Sequence, residues 1–123
     1  MRGEEPIAMN TFLKSFNLGR KELNKGDFYK AQETWEHLWK YGTEKERFNI
    51  RGMIQLSVGL IKFKMGQFDA GIYLLKKSIK NIQAAEEIHN EIDIRTTVNQ
   101  IKEILDNQSK DNISSFHVEI KKR

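Results

Sequence analysis

The pattern glycine, any residue, phenylalanine, then a small residue three positions on and a large apolar residue four after that occurs twice in this chain. Gly26-x-Phe28-x-x-Ala31-x-x-x-Trp35 and Gly66-x-Phe68-x-x-Gly71-x-x-x-Leu75 agree in spacing, and Leu38 and Ser78 extend the match by three residues. Phe28, Ala31, Trp35 and Leu38 fall at offsets of 0, 3, 7 and 10, which is one apolar face of a helix. In each copy the glycine permits a tight turn, the aromatic residue begins a helix in the core, and the small residue lets a neighbouring helix approach. Two antiparallel helical hairpins are therefore expected, with the glycine turn inside each.

Apolar spacing supplies the remaining elements. Phe12, Leu13, Phe16 and Leu23 predict a first helix over 10–24, and the second runs from Phe28 to about Trp39. Thr43 and Glu46 have the spacing of a capping box and open a third helix reaching about Met65. That helix is apolar nearly all round, from Phe48 to Phe63, and is the expected centre of the fold. Gly52 and Gly59 lie on one side of it. A mid-helix glycine costs roughly 1 kcal/mol relative to alanine, which makes sense where another helix packs closely on that side. A fourth helix is expected from Phe68 to about Ala85, and a fifth begins between Glu86 and Asp93 and ends near Leu105. The expected fold class is all-α, a compact bundle of about five helices over 10–106. Residues 1–9, interrupted by Gly3 and Pro6, are expected as a flexible lead. Residues 107–123 are expected as a polar, basic tail. Phe116 to Ile120 alternate like a short strand, but no strand is evident to pair with them, so the tail is expected to be flexible or docked on another molecule.

Composition narrows the function classes. The 123 residues suffice for one domain with a sizeable core, and 38% hydrophobic with 31% charged residues describes a globular chain rather than a disordered one. The sequence has no cysteine, which removes disulfides and thiolate metal sites and fits a reducing compartment, so a cytoplasmic location is expected. No secretory signal pattern opens the chain, and the longest apolar-rich region, Met53 to Phe63, is too short and too polar to span a bilayer. The net charge of +4 is small against 21 basic and 17 acidic side chains. Lys76, Lys77 and Lys80, with the run Lys121 to Arg123, make nucleic acid binding a weaker reading than a solvated helix face.

The helix over 28–41 holds both tryptophans and the candidate chemistry. Glu36 falls on the shoulder of its apolar face, near Tyr29 in direction, with Gln32 beside the face. Arg51 and Gln55 share a polar sector of the third helix. These five are expected to form a partly buried polar cluster, because a buried amide left unpaired costs roughly 1–3 kcal/mol. In that cluster Glu36 pairs with Arg51, Gln55 or Tyr29. A crevice lined by Glu36 and Arg51 is the sharper alternative. Glu33 and His37 have metal-ligand spacing, and His89 or His117 could complete a site, but a stable site needs three or more converging ligands. Glu33, Glu36 and His37 are therefore the candidate catalytic residues of an alternative reading, a small metal-dependent hydrolase. No phosphate loop, dinucleotide glycine pattern or HExxH motif is present. The structural reading assigns Trp35, Trp39, Phe28, Phe48, Phe63 and Phe68 to the core, expects no metal or cofactor, and leaves binding of another protein, with self-association as a further partner class, as the economical function.

The repeated turn resembles that of the tetratricopeptide repeat. Its two copies stand 40 residues apart rather than 34, which favours a compact two-hairpin bundle over an extended solenoid. A closer resemblance covers about Phe12 to Ala85. The stretches FYKAQETWEHLWKY and RGMIQLSVGLIKFKMGQFDAGIYLLKKS look like DUF309, a family of small helical proteins of unknown function. Phe28, Ala31, Glu33, Trp35, Glu36 and Trp39 match its first motif; Gly52, Ile54, Gln55, Leu56 and Leu60 match its second; Gly66, Gly71, Leu74 and Leu75 match its third. Gln32 stands where the family pattern has histidine, and Arg51 where it has glutamine, so a site of histidine and carboxylates is not carried over. The resemblance implies an all-helical fold related to tetratricopeptide repeats and no known reaction.

Overall fold

The computed structural model describes residues 4–107 and 117–123. Among these, five α-helices form a bundle: α1 (Glu4–Asn24), α2 (Phe28–Tyr41), α3 (Glu44–Lys64), α4 (Phe68–Ala84) and α5 (Ile94–Asp106), with a 3-10 turn over Glu86–Asn90. Neighbours in sequence are neighbours in space, α1 on α2, α2 on α3, α3 on α4 and α4 on α5. The central helix is α3, which buries Ile50, Met53, Leu56, Leu60 and Phe63 between α2 and α4.

The two repeated turns have the same hydrogen bonds. Gly26 N–H donates to the Leu23 carbonyl at 2.8 Å and Asp27 N–H to Glu22 at 3.0 Å, while Gly66 N–H donates to Phe63 at 3.0 Å and Gln67 N–H to Lys62 at 2.9 Å. This is a Schellman closure, which requires a left-handed residue. Gly26 at φ 89° and Gly66 at φ 78° supply it. The copies differ at the residue after the glycine. Asp27 caps α2 by accepting from Lys30 N–H at 3.3 Å, whereas Gln67 makes no side-chain cap on α4. The capping box on α3 is formed in both directions by Thr43 and Glu46.

Close approach follows the small residues. A Cβ on Gly59 would stand 2.8 Å from Leu75 Cδ2, and one on Gly52 would stand 2.8 Å from the Ile82 backbone nitrogen, so both glycines of α3 face α4. Helix α3 also holds the start of the 3-10 turn. Asn49 Oδ1 accepts from Glu87 N–H at 2.9 Å, and Lys45 pairs with Glu87 at 2.7 Å. The hydrogen bond and charge of Glu87 raise the Lys45 pKa.

Two expectations about the ends change. Helix α1 begins at Glu4, not Asn10, and takes in most of the expected lead. Pro6 lies in its first turn, where backbone N–H groups have no intrahelical acceptor, so it does not interrupt the helix. The expected strand-like tail does not depend on another molecule. Of it, 108–116 lie outside the described residues, but 117–123 run extended along the bundle between α1 and α5, with Val118 and Ile120 fully buried. Their polar groups are met by Arg20, Asn24 and Gln100 side chains and by an antiparallel bridge of Ile92 with Lys122. A partner strand was unnecessary because side-chain amides take its place. Among the described residues no helix is long and apolar enough to cross a membrane.

Candidate functional site

Glu36 and Trp39 sit three residues apart on α2, and Arg51, Ile54 and Gln55 lie at offsets of three and four on α3, so each set projects from one side of its helix. Together they line an open crevice of about 340 Å³. Trp39 is half-buried within it. The Arg47 and Arg51 guanidinium carbons stand 5.6 and 5.7 Å from the Trp39 ring, and Arg51 is also 6.0 Å from the Phe48 ring. Arg47 is fixed further by donating Nε–H to the Trp39 carbonyl at 2.8 Å. That contact places a cation at the C-terminal end of α2, where the helix dipole favours it. The result is an aromatic ring with two cations against it beside an apolar recess.

The expected polar cluster divides into separate contacts. Glu36 is exposed, not partly buried, and accepts from Gln32 Nε2 on its own helix at 3.1 Å. Glu36 and Arg51 share the crevice without an ion pair. Gln55 Oε1 accepts from Asn81 Nδ2 at 2.7 Å, so the polar tie joins α3 to α4 rather than to α2. Tyr29 is elsewhere. Its hydroxyl approaches Met65 Sδ at 3.8 Å beside a second recess of about 320 Å³ at the Gly26 turn. Tyr29 and Glu36 share a direction on α2, but seven residues at 1.5 Å each set them roughly 10 Å apart along its axis.

The candidate ligands do not converge. Glu33 and His37 are exposed, and the His37 ring packs on Tyr41 with centroids 4.8 Å apart. A ring nitrogen of His89 lies 3.0 Å from the Gln83 carbonyl, and His117 is exposed. Among the described residues no group of three or more histidine, aspartate or glutamate side chains is placed to hold a metal ion. Lys76, Lys77 and Lys80 are exposed on α4, with Lys77 over the Tyr73 ring.

Residues 16–74 match the family model described as Domain of unknown function (DUF309). Over this segment, just under half of the chain, the protein is similar to that family. No curated protein and no solved structure matches the chain. Every residue lining the crevice lies inside the DUF309 segment, as do both glycine turns, whereas α5 and residues 117–123 lie outside it. Two features of the structure are absent from the sequence-based expectations. Arg47 is the first, although its offset of four from Arg51 puts both on one side of α3 and is a signal that could have found it. The second is the exposure of Phe48 and Phe68, expected in the core but 45% and 39% exposed. Periodicity marks a residue as apolar but does not say whether a neighbouring helix reaches far enough to cover it.

Proposed function

We propose that the chain is a cytoplasmic helical module that binds another protein without performing chemistry, and that the crevice between α2 and α3 is its docking surface. The observation that carries this is the grouping of Trp39, Arg47, Arg51 and exposed Phe48 around one apolar recess. Tryptophan and arginine are the residue types most enriched at interface hot spots, and their cost in a pocket is low when the scaffold already fixes them. A partner suited to it offers an apolar side chain for the recess and an acidic group for the two guanidiniums. The matched hairpins support the likeness to tetratricopeptide repeats, and the absence of cysteine suits a reducing compartment.

The test is affinity purification from the native cell with the wild-type chain and with Trp39→Ala, Arg51→Glu and Lys77→Glu. A protein retained by the wild type and by Lys77→Glu, and lost from the other two, is the expected result. Equal recovery by all four chains would place the contact elsewhere. Loss with Lys77→Glu alone would move it to α4.

A further inference from the structure

Glu36 and Arg51 carry opposite charges into one crevice and do not pair. Glu36 stands on α2 and Arg51 on α3, both exposed, and among the described residues the one ion pair is that of Lys45 with Glu87. Their other contacts leave both with bonding capacity. Glu36 Oε2 accepts from Gln32 Nε2 at 3.1 Å, which occupies one of its two oxygens. Among the described residues no acceptor meets the Arg51 guanidinium, whose carbon stands 5.7 Å from the Trp39 ring and 6.0 Å from the Phe48 ring. Its N–H fork therefore stays open to a carboxylate. Arg47 differs, since its Nε and Nη2 already donate to the Trp39 and Lys40 carbonyls at 2.8 and 3.4 Å. The crevice is left with one spare anion and one spare cation beside Trp39, Ile54 and the 45% exposed Phe48.

A patch of this composition is complementary to itself. Helices α2 and α3 are antiparallel neighbours joined at Gly42, so a two-fold axis drawn along the crevice, parallel to both, turns each α2 onto the α3 of a second copy. Rotation about that axis preserves the direction of every helix. Each of the four helices then has antiparallel neighbours, as in an up-and-down bundle. Glu36 of each copy faces Arg51 of the other, and symmetry makes the pair twice. Because Arg51 lies against Trp39 and Phe48 together, the two rings stand at one level of the crevice, and the same rotation brings each Trp39 toward Phe48 of the second copy. A foreign partner must bring an anion, a cation and an apolar group at matching separations. An acidic partner alone would satisfy Arg51 and set like charge against Glu36.

We propose that the crevice takes a second copy of this chain, in an isologous dimer held by two reciprocal Glu36–Arg51 ion pairs around Trp39, Phe48 and Ile54. This rests on the crevice being the docking surface, and it identifies the acidic group that meets the Arg51 guanidinium as Glu36 of the second copy.

Sedimentation equilibrium of the full chain tests the dimer through its charges. A reversible dimer is expected for the wild type and for Lys77→Glu, with association about tenfold weaker or more for Glu36→Arg and for Arg51→Glu, each of which sets two like-charge pairs across the axis. Mixing those two variants in equal amounts should restore dimers, now of one chain of each kind, because both pairs regain opposite signs. Misfolding would not be repaired by mixing. The doubly exchanged chain, Glu36→Arg with Arg51→Glu, should dimerise by itself. A dimer indifferent to both reversals, or reversals that the mixture fails to rescue, would overturn the proposal. So would a wild type that stays monomeric at about 1 mM. If that monomer still captures a foreign protein that Trp39→Ala and Arg51→Glu lose, the second copy is excluded and the docking surface stands; if it captures none, both fall.

Discussion

Trp35 fills the gap that Gly19 leaves in α1. Its indole Nε1–H donates to the Phe16 carbonyl at 3.1 Å, and a Cβ on Gly19 would stand 2.8 Å from Trp35 Cδ1 and closer still to Nε1. Mid-helix glycine weakens α1 locally, yet it admits the largest fully buried side chain of the molecule.

Gly19→Ala should therefore destabilise the bundle by about 1–3 kcal/mol through overpacking, although alanine is the better helix former by about 1 kcal/mol. Equilibrium denaturation measures the net effect. A midpoint equal to or above that of the wild type would show that Trp35 moves aside at little cost.

The two glycine turns differ from the glycines at helix contacts, and substitution separates them. Among the described residues no atom beyond its chain neighbours lies within 4 Å of a Cβ built on Gly66, so its positive φ is the objection to a side chain there. Gly66→Ala should cost roughly 1–2 kcal/mol and Gly66→Asn less, because asparagine tolerates the left-handed region. Gly71→Leu should cost about 1–3 kcal/mol for another reason, since a Cβ there would lie 2.6 Å from Phe63 Cε1. Unfolding midpoints in which Gly66→Asn is no better than Gly66→Ala would contradict the conformational account of the turn.

Much of α2, α3 and α4 was legible because their signals are local: a glycine, an aromatic two residues later, a capping box, and apolar spacing within one helix. The polar cluster was not legible as a cluster. Direction around α2 placed Tyr29 with Glu36, while rise along it separated them, and Gln55 found its partner 26 residues away on α4. The tail was harder still. The alternation up to Ile120 was visible, but its bonding partner Asn24 is 96 residues distant and belongs to a helix, where no strand pattern would reveal it.

Glu36→Ala, Glu33→Ala and His37→Ala should each change stability by less than about 0.5 kcal/mol, since all three side chains are exposed. Asn81→Ala should cost roughly 1 kcal/mol by leaving the half-buried Gln55 oxygen without its donor. Chemical denaturation of the four variants checks the order, and a large loss for Glu36→Ala would restore the polar tie to α2.

Asp93 gives the fold an acid-sensitive cap. Its carboxylate accepts from Thr96 Oγ1 at 2.7 Å and Thr96 N–H at 3.1 Å, and these bonds hold its pKa below the ordinary value. A depressed folded pKa adds stability above the unfolded pKa and loses it as pH falls through the folded one. The thermal midpoint of Asp93→Ala should therefore trail the wild type most near neutral pH, with the gap narrowing in acid. A gap that is constant with pH would assign the cap no charge-dependent part.

The docking surface is tested most directly by two exposed aromatic residues on different helices, Phe48 beside Arg51 and Tyr73 beside Lys77. Each is replaced in turn by the photoreactive residue benzoylphenylalanine in the native cell, and the irradiated products are identified by mass spectrometry. A discrete protein adduct from position 48 and none from position 73 is the expected result. An adduct from position 73 alone, whether protein or nucleic acid, would contradict docking at the crevice.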